Sequence, residues 1–419
     1  MVKFVIKGGN VLKGDVVISG AKNSSLPIMA ASLLTHGKTV LHNVPDVSDI
    51  RRMIELLRYI GAKIVFNNGI VEIDASEIKT AKAPYEIVNK MRASYYVLGS
   101  LIGRVGEAEI SFPGGCAIGP RPIDLHIEGL KKVGVEIKIE HGYIKAKVNN
   151  LKGENLLLEG PKGPSVGATI NVMFAAVVSK GITIINGAAV EPEVVDVANF
   201  LKKMGAKIEG LGTRTITIEG VRKLSPIEYT VIPDRIEAGT YLVAGAITGG
   251  EILLRNVIPE HLLSVITSLQ ETGAEIEYND NTIKLKRKKE IKPTNVSTSP
   301  YPGFPTDMQA QFMAYLTIAK GVSIIKENIF ENRFMQALEL SRMGASIKIE
   351  GNVAVIKGVS SLTGAEVMAS DLRASASLIL AGLVADGETV ITRVYHIDRG
   401  YEKIEEKLRK LGVNIKRIK

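Results

Sequence analysis

A pattern of six repeats constrains the fold of this chain more than any other feature of its sequence. A glycine followed by a small apolar residue, any residue and isoleucine recurs every 68 to 73 residues, at Gly61, Gly134, Gly205, Gly273, Gly344 and Gly412. A second glycine precedes each of these by 23 to 28 residues and opens a short stretch that favours a strand, at Gly37, Gly106, Gly181, Gly250, Gly321 and Gly387. Two landmarks that recur in phase indicate six copies of one supersecondary unit.

Hydrophobic periodicity predicts the elements within each repeat. Ile50, Met53, Ile54 and Leu57 have helical spacing, which predicts a surface helix with one buried face. The stretch 374–385 is apolar on all sides and rich in small residues, which predicts a fully buried helix. Each repeat is therefore expected to contain a buried helix, a strand, a surface helix and two strands joined by a turn. This order predicts an α/β protein.

The length of the chain predicts two domains. Its 419 residues exceed the roughly 250–300 residues at which a single core stops growing. Six repeats then divide into two domains of three. The chain has one cysteine, so it cannot form an intrachain disulfide, and it has neither a signal-like start nor an apolar run near the ~20 residues of a membrane span. We therefore expect a cytoplasmic protein without a membrane segment.

The net charge of +9 favours small anionic ligands. The densest basic run, in residues 284–289, lacks the interleaved aromatic residues of a groove for single-stranded nucleic acid. Several arginines instead stand singly in loops with glycine, serine or aspartate, where a planar guanidinium can hold a phosphate or carboxylate. We therefore expect no nucleic-acid partner.

Several common cofactor and catalytic motifs are missing from the sequence. No Gly-x-Gly-x-x-Gly segment opens a helix, and the segment 160–169 lacks the Gly-Lys-Ser/Thr ending of a P-loop. The six histidines have no metal-ligand spacing, and a single cysteine cannot form a multi-cysteine zinc site. No cofactor and no metal are therefore expected.

The single cysteine lies in a segment that favours chemistry over packing. Cys116 is in the run Pro113-Gly114-Gly115-Cys116-Ala117-Ile118-Gly119-Pro120-Arg121-Pro122, which is too rich in glycine and proline for a helix or a central strand. A lone cysteine is usually a small buried hydrophobe. A loop cysteine with an arginine five residues later can instead present a thiolate to a ligand.

Basic residues recur where the apolar helices begin. Lys22, Arg92, Arg373 and Arg399 lie in short polar segments near such helix starts. The N–H groups at a helix N-terminus and a nearby cation together attract anions. The alternative for any one segment is structural, with Asp371 and Asp307 acting as helix N-caps or as local partners of arginine.

Six segments carry a resemblance to a known family: Lys22-Asn23, Met91–Ser94, Pro113–His126, Phe304–Gln311, Phe330–Met335 and Tyr395–Tyr401. They closely resemble the UDP-N-acetylglucosamine 1-carboxyvinyltransferase family of enolpyruvyl transferases, and the resemblance covers the whole chain. It implies a two-domain inside-out α/β barrel, with three repeats per domain and buried helices surrounded by sheets and surface helices. Residues 1–20 and 233–419 would form the C-terminal domain, and residues 21–232 the domain with the cysteine loop.

The resemblance also implies a reaction and a set of site residues. The enolpyruvyl group of phosphoenolpyruvate would move to the 3-hydroxyl of UDP-N-acetylglucosamine with release of phosphate, as the first committed step of peptidoglycan synthesis. Cys116 would donate a proton and be able to form an adduct with phosphoenolpyruvate, and Asp307 would take the sugar hydroxyl proton. The catalytic residues implied are Lys22, Asn23, Cys116, Asp307, Asp371 and Arg399. The substrate-binding residues implied are Lys22, Asn23, Arg92, Arg121, Pro122, Ile123, Asp124, Leu125, Ser165, Val166, Gly167, Asp307, Ile329, Arg373 and Arg399.

Two departures from the family pattern affect binding positions. Lys162 is one place farther from Ser165 than in some relatives, and Ile123 replaces a common valine. No obligate protein partner is inferred. Two hypotheses accompany this interpretation: the domains close on the nucleotide sugar, which scattering would detect as compaction, and the epoxide fosfomycin alkylates Cys116.

Three other functions compete with this interpretation. A shikimate-pathway enolpyruvyl transferase shares the fold and the donor but does not use the cysteine loop. RNA 3′-phosphate cyclases have a related repeat but need a nucleotide-activating histidine, for which His396 does not stand out. A noncatalytic protein that binds a UDP-sugar is disfavoured by the presence of Cys116, Lys22 and Asp307.

Overall fold

The computed structural model describes residues 2–89, 91–112, 123–287 and 290–419. These residues form two compact units. The terminal unit contains the described chain up to Ser19 and from Pro233 onward, and the central unit contains the described residues from Gly20 to Gly115 and from Arg121 to Ile232. Within the described ranges, no helix has both the length and the apolar character to cross a bilayer.

The described residues form 28 β-strands. In chain order they are β1 (Lys3–Lys7), β2 (Lys13–Val17), β3 (Lys38–His42), β4 (Lys63–Asn67), β5 (Ile70–Asp74), β6 (Lys82–Ala83), β7 (Glu107–Ser111), β8 (Glu136–Glu140), β9 (Tyr143–Lys147), β10 (Asn155–Leu157), β11 (Glu159–Gly160), β12 (Gly163–Pro164), β13 (Ile182–Asn186), β14 (Lys207–Glu209), β15 (Thr215–Glu219), β16 (Glu228–Thr230), β17 (Glu251–Arg255), β18 (Glu275–Asn279), β19 (Thr282–Lys286), β20 (Asn295–Ser297), β21 (Val322–Lys326), β22 (Ser346–Glu350), β23 (Val353–Lys357), β24 (Leu362–Thr363), β25 (Glu366–Met368), β26 (Ala385–Asp386), β27 (Glu388–Thr392) and β28 (Asn414–Ile418).

The same ranges contain 13 α-helices. They are α1 (Lys22–Ala31), α2 (Ser48–Ile60), α3 (Tyr85–Val88), α4 (Tyr96–Val105), α5 (Asp124–Lys132), α6 (Val166–Ala176), α7 (Pro192–Lys203), α8 (Arg235–Ile247), α9 (Leu263–Glu271), α10 (Gln309–Leu316), α11 (Gln336–Arg342), α12 (Leu372–Val384) and α13 (Ile404–Lys410). Short 3₁₀ helices span Ser32–Leu34, Arg92–Tyr95, Pro259–Leu262, Thr306–Met308 and Val394–Arg399.

Among the described residues, each unit contains three four-stranded sheets with the same pairing pattern. The strand orders are β16-β3-β5-β4, β6-β7-β9-β8 and β10-β13-β15-β14 in the central unit, and β18-β19-β17-β2, β20-β21-β23-β22 and β25-β27-β1-β28 in the terminal unit. Every one of these sheets has one parallel pair at an edge and two antiparallel pairs. Strands β1 and β2, from the start of the chain, complete two sheets of the terminal unit.

The core of each unit is built on apolar helices. Helices α1, α4 and α6 belong to the buried core of the central unit, and α8, α10 and α12 to that of the terminal unit. The helical spacing noted around Ile50 corresponds to α2, in which Ile50, Met53, Ile54 and Leu57 are all buried. The predicted buried helix corresponds to α12. The coarse prediction of an α/β fold is therefore confirmed.

Backbone geometry explains why glycine recurs in the repeats. Gly61 ends α2 with a φ of +128°, and the other five glycines of the first landmark have φ between +91° and +108°. L-amino acids with a side chain rarely adopt this region. A glycine at this point lets each surface helix stop and the chain turn directly into the next strand.

Candidate active site

An ion cluster around Asp307 is the most highly organised polar group among the predicted site residues of the terminal unit. Asp307 lies in the 3₁₀ turn Thr306–Met308, just before α10. Its Oδ1 accepts a hydrogen bond from Arg333 Nη2 at 2.7 Å. Its Oδ2 accepts two from Arg373, from Nη2 at 2.7 Å and Nε at 3.1 Å. The arginine side chains are 6% and 5% exposed, whereas that of Asp307 is 29% exposed. The carboxylate is therefore fixed in orientation and still reachable from solvent.

This geometry contradicts the alternative in which Asp307 caps a helix. Neither the 3₁₀ turn nor α10 has a side-chain hydrogen bond at its N-cap. The two arginines engage both carboxylate oxygens instead, through three hydrogen bonds in which donor and acceptor are both charged. Asp307 therefore does not cap a helix, and its arginine partners lie 26 and 66 residues away in the sequence rather than nearby.

With both arginines bound to it, the carboxylate of Asp307 is a weak base. Burial alone would raise the pKa of Asp307, but Arg373 and Arg333 outweigh burial and hold this pKa well below its usual range. Asp307 is therefore ionised at neutral pH and can accept a hydrogen bond from a hydroxyl group. For Asp307 to take the proton from that hydroxyl group, at least one arginine contact must first weaken. Both contacts stabilise the ionised carboxylate and so oppose its protonation.

Arg373 is held from several sides. It lies in the first turn of α12, where Asp371 caps the helix by accepting bonds from the N–H groups of Arg373 at 2.9 Å and Ala374 at 3.1 Å. Arg373 Nη1 donates to Tyr401 Oη at 3.1 Å, and that hydroxyl also contacts Thr240. The predicted site residues Asp307, Asp371 and Arg373 therefore lie together in one preorganised cluster.

Arg333 belongs to this cluster but was not among the predicted site residues. Besides Asp307, it donates from Nη1 to Thr306 Oγ1 at 2.9 Å, and its guanidinium lies 5.2 Å from the centre of the Phe330 ring. The signal that points to it in the sequence is a single arginine inside the segment Phe330–Met335, which the resemblance already singled out.

The other predicted residues of the terminal unit are Arg399 and Ile329. Arg399 ends the 3₁₀ helix Val394–Arg399 and is half-buried. Burial first and then the charge of Arg399 lower the pKa of His396, while Asp371 acts in the opposite direction. Arg399 and Asp371 are therefore both close enough to act on the same imidazole. Ile329 is half-buried in the loop after β21, and its N–H donates to Glu327 Oε1 at 2.8 Å.

In the central unit, Lys22 and Asn23 begin α1. Lys22 Nζ lies 3.6 Å from Asp49 Oδ2, and their side chains are 12% and 3% exposed. Asn23 is half-buried. This ammonium is near a helix N-terminus, where backbone N–H groups also favour anions.

Residues from α5 and α6 meet at His126. The ring is buried, and its Nδ1 accepts a hydrogen bond from Asn171 Nδ2 at 3.0 Å, an assignment that places the ring proton on Nε2. Asn171 Oδ1 in turn accepts from the N–H of Gly99 at 2.7 Å, so three helices share this contact. A Cβ atom on Gly167 would lie 2.8 Å from the ring, so only glycine fits at that position without a shift.

This contact brings predicted nucleotide-sugar residues into one region. Leu125 and the exposed Asp124 precede His126 on α5, and the buried Ile123 comes just before that helix. Ser165 caps α6 by accepting a bond from Ala168 N–H at 3.3 Å, and Val166 and Gly167 form the first turn. Lys162 is exposed in the preceding turn.

Arg92 acts on the same region electrostatically. It is half-buried at the start of the 3₁₀ helix Arg92–Tyr95. Burial, and secondly the charge of Arg92, lower the pKa of His126 to about 4, so the ring is neutral at neutral pH. The structure thus groups Arg92 with the α5 and α6 residues. Cys116, Arg121 and Pro122 lie outside the described residues.

Comparisons with known proteins agree on one family. Residues 6–408 match the family described as EPSP synthase (3-phosphoshikimate 1-carboxyvinyltransferase). The UDP-N-acetylglucosamine 1-carboxyvinyltransferase 1 of Caldanaerobacter subterraneus subsp. tengcongensis is 55% identical over 99% of both chains. The UDP-N-acetylglucosamine 1-carboxyvinyltransferase of Geobacter metallireducens is 52% identical over 100% of both chains.

Solved structures support the same relationship. The enolpyruvyl transferase NikO from Streptomyces tendae superposes with a TM-score of 0.89 at 26% identity, over 99% of this chain and 98% of that one. The EPSP synthase from Acinetobacter baumannii has a TM-score of 0.77 at 19% identity over 100% of both chains, a similarity of fold alone.

Proposed function

The chain belongs to the EPSP synthase family of enolpyruvyl transferases, and from this premise we propose that its acceptor is UDP-N-acetylglucosamine. It is a transferase that moves the enolpyruvyl group of phosphoenolpyruvate to the 3-hydroxyl of the nucleotide sugar and releases phosphate. This reaction is the first committed step of peptidoglycan synthesis. One observation carries the choice of acceptor: relatives named for this reaction are 51–55% identical over essentially the whole chain.

Addition and elimination require an acid and a base on a small, highly anionic substrate. In the addition step, Cys116 gives its proton to the methylene carbon of phosphoenolpyruvate while the 3-hydroxyl oxygen bonds to the neighbouring carbon. Asp307 accepts the hydroxyl proton. Elimination then breaks the bond to phosphate as a proton passes from the new methyl group back to the Cys116 thiolate, which restores the thiol. Acid–base assistance of this kind contributes roughly 10²–10⁴-fold to a rate.

The geometry around Asp307 supports a two-stage role for its carboxylate. In the ground state the arginine pair keeps it ionised and oriented, so that its exposed edge can accept a hydrogen bond from the 3-hydroxyl. As the hydroxyl oxygen attacks, an arginine that turns from Asp307 toward the charge developing on the substrate makes the carboxylate more basic.

The anionic groups of phosphoenolpyruvate need several cations. We assign its phosphate and carboxylate to Lys22, Arg121 and Arg399, with Asn23 and Arg92 assisting. The half-buried position of Lys22 at the start of α1 favours this role, because a desolvated ammonium interacts more strongly with an anion than an exposed one. The nucleotide sugar is assigned to residues 121–125, Ser165, Val166, Gly167, Asp307 and Ile329, with Asp371 and Arg373 as further polar groups.

A finer description of the fold accompanies this function. We infer that the six repeats form two inside-out α/β barrel domains, residues 1–20 with 233–419 and residues 21–232. The three sheets in each unit and the buried helices α1, α4, α6, α8, α10 and α12 support this description. Peptidoglycan precursors are made in the cytoplasm, where we also place this enzyme, acting on small molecules without an obligate protein partner.

Phosphate release from phosphoenolpyruvate tests the function directly. Wild-type protein is assayed with UDP-N-acetylglucosamine and, separately, with shikimate 3-phosphate. We expect turnover with the nucleotide sugar alone. Turnover with shikimate 3-phosphate alone would reassign the acceptor, and binding of the nucleotide sugar without any phosphate release would indicate a noncatalytic protein.

Cys116→Ala is the matched variant, because Cys116 is the only thiol in the chain. We expect this variant to lose turnover and to resist fosfomycin. In the wild type, the thiolate opens the epoxide, a C–S bond replaces a C–O bond, and the released oxygen takes a proton. The intact mass should therefore rise by one whole fosfomycin molecule in the wild type and stay unchanged in the variant.

A further inference from the structure

Glu327 is a buried carboxylate next to two predicted site positions. It comes directly after β21 and is 2% exposed. Its Oε1 accepts hydrogen bonds from Thr298 Oγ1 at 2.9 Å, Ile329 N–H at 2.8 Å and Phe330 N–H at 3.2 Å. Its Oε2 accepts from Thr306 Oγ1 at 2.8 Å. The two oxygens therefore hold three segments of the chain, at Thr298, at Thr306 and at residues 329–330.

One of these segments leads to Asp307 by a short chain of hydrogen bonds. Thr306 is the neighbour of Asp307 in the sequence, and its hydroxyl donates to Glu327 while accepting from Arg333 Nη1 at 2.9 Å. Arg333 Nη2 then donates to Asp307 Oδ1 at 2.7 Å. The other oxygen of Glu327 holds the N–H of Ile329, the predicted contact to the nucleotide sugar.

The direction of these bonds depends on the charge state of Glu327. A hydroxyl has one hydrogen, and a carboxylate can only accept. An ionised Glu327 therefore forces Thr306 to donate to it, which leaves a hydroxyl lone pair for Arg333. An amide at this position could donate to Thr306 instead, and the hydroxyl hydrogen would then turn away from residue 327.

A turn alone does not need a buried carboxylate. In four other repeats, the residue directly after the corresponding strand has φ between +57° and +69°, at Asn43, Gly187, Asn256 and Arg393. Small polar residues and glycine are the usual means of making such turns. Burying a carboxylate carries a desolvation penalty that neutral residues avoid. Glu327 differs from these four turns, and the hydrogen bonds that its carboxylate accepts indicate a role beyond shaping the chain.

We propose that Glu327 is a positioning residue that orients Arg333 and Asp307 through the hydroxyl of Thr306 and fixes the Ile329 backbone for the nucleotide sugar. This inference rests on the proposed function in so far as Asp307 serves the acceptor hydroxyl. Glu327 itself need not touch either substrate.

The kinetic test is a double-mutant cycle on Glu327→Gln and Thr306→Val. Each single variant should lower kcat about tenfold, with a smaller change in the KM for UDP-N-acetylglucosamine. Because both act through one hydrogen-bond chain, the double variant should be about as slow as either single variant. Multiplied effects, giving about a hundredfold loss, would overturn the proposal, since independent sites are additive in free energy.

Thr272→Val is the matched control for Thr306→Val. Thr272 is a buried threonine of the same unit whose hydroxyl contacts Tyr315 Oη at 2.7 Å, away from Asp307. This control should lower thermal stability without changing kcat. If Thr272→Val slowed turnover as much as Thr306→Val, the effect would be one of general stability, and the positioning role would be refuted.

A titration separates this inference from the proposed function. The carboxyl carbon of Asp307, labelled with ¹³C and assigned with Asp307→Asn, reports its pKa without any substrate. We expect this pKa to rise in Glu327→Gln and in Thr306→Val, because Arg333 is less firmly held, and to stay constant in Thr272→Val. An unchanged pKa in the first two variants would overturn the positioning role. Failure of wild-type protein to use UDP-N-acetylglucosamine would instead reject the proposed function, and this titration would still decide the role of Glu327.

Discussion

The two units use different chemistry where their buried helices meet polar side chains. In the central unit, the contact among α4, α5 and α6 is made by the neutral pair His126 and Asn171. In the terminal unit, the starts of α10 and α12 meet in the ion cluster of Asp307, Arg333 and Arg373. A second pair with little solvent exposure, Lys407 with Glu237 at 2.7 Å, joins α13 to the first turn of α8 in the same unit.

This difference shows that the repeat specifies the fold but not the chemistry. Both units have three sheets of the same pairing pattern around apolar helices. The neutral contact can position helices at little electrostatic cost, whereas buried ions must be paired to persist. The central unit also has an ion pair with little solvent exposure, Lys22 with Asp49, whose atoms are 3.6 Å apart.

The largest effect is expected from neutralising the centre of the ion cluster. Asp307→Asn removes the group assigned as proton acceptor and leaves two buried arginines facing an amide. Phosphate release should fall about 10³-fold, within the range of general acid–base contributions. Asp15→Asn is the control, because Asp15 also pairs with an arginine of the terminal unit, Arg255 at 2.7 Å, but at the surface. Equal losses in both variants would mean that Asp307 has no special role.

The second effect concerns stability and the ion pair between Lys407 and Glu237. Lys407→Met leaves the carboxylate of Glu237 buried without its ammonium, which should lower the free energy of unfolding by about 3–5 kcal/mol. Lys207→Met breaks the exposed pair with Glu219 and should cost at most about 1 kcal/mol. Denaturant unfolding measures both. Adding Glu237→Gln to Lys407→Met should recover part of the loss, and no recovery would contradict the assignment to an unpaired charge.

An experiment on pH tests whether the contact between His126 and Asn171 in the central unit is neutral. The pKa of His126 is about 4 in the folded chain and near 6.5 in an unfolded one. As the pH falls below 6.5, only the unfolded state takes up this proton, so the free energy of unfolding should fall by about 1.5 kcal/mol between pH 6.5 and pH 5. His126→Gln cannot take up the proton and should lack this loss.

Asp196, in the same unit, changes the stability with pH in the opposite direction to His126. Burial raises its pKa to about 6, against hydrogen bonds from Tyr229 that lower it. The folded state therefore binds this proton first, which adds stability as the pH falls from 6 toward 4. The quantity to compare is thus the difference between wild type and His126→Gln at each pH. A difference that does not change with pH would show that His126 is not kept neutral by the fold.

The sequence predicted local structure well because local structure follows from periodicity. The spacing of Ile50, Met53, Ile54 and Leu57 corresponds to the buried face of α2, and the apolar stretch 374–385 to α12. Glycine at the landmark positions is explained by its backbone conformation. These signals lie within about a dozen residues, so they do not depend on tertiary contacts.

The polar contacts were much harder to predict from the sequence. Arg333 acts through Asp307, which is 26 residues away, and Asn171 acts through His126, which is 45 residues away. No local pattern specifies such partners. For the same reason, the cap predicted for Asp371 is present whereas the one considered for Asp307 is not: Asp371 uses its neighbours' N–H groups, and Asp307 binds two distant arginines.

The smallest effect should come from the helix caps. One cap in the terminal unit is a charged side chain, and one in the central unit is a neutral side chain. In the terminal unit, Asp234 caps α8 by accepting bonds from the N–H groups of Ile236 at 2.8 Å and Glu237 at 3.0 Å. In the central unit, Ser165 caps α6 with one bond of 3.3 Å. Asp234→Ala should lower the free energy of unfolding by about 1–2 kcal/mol, and Ser165→Ala by about 0.5–1 kcal/mol.

Asp234→Asn then isolates the charge, because the amide keeps an oxygen that can accept the same hydrogen bonds. It should lose about 0.5 kcal/mol, the usual contribution of a negative charge at a helix N-terminus. If Asp234→Asn lost as much as Asp234→Ala, charge would dominate the cap, and the ionic character of the terminal unit would extend to its helix ends. If it lost nothing, the difference between the units would be confined to the buried ion pairs, where desolvation makes charge decisive.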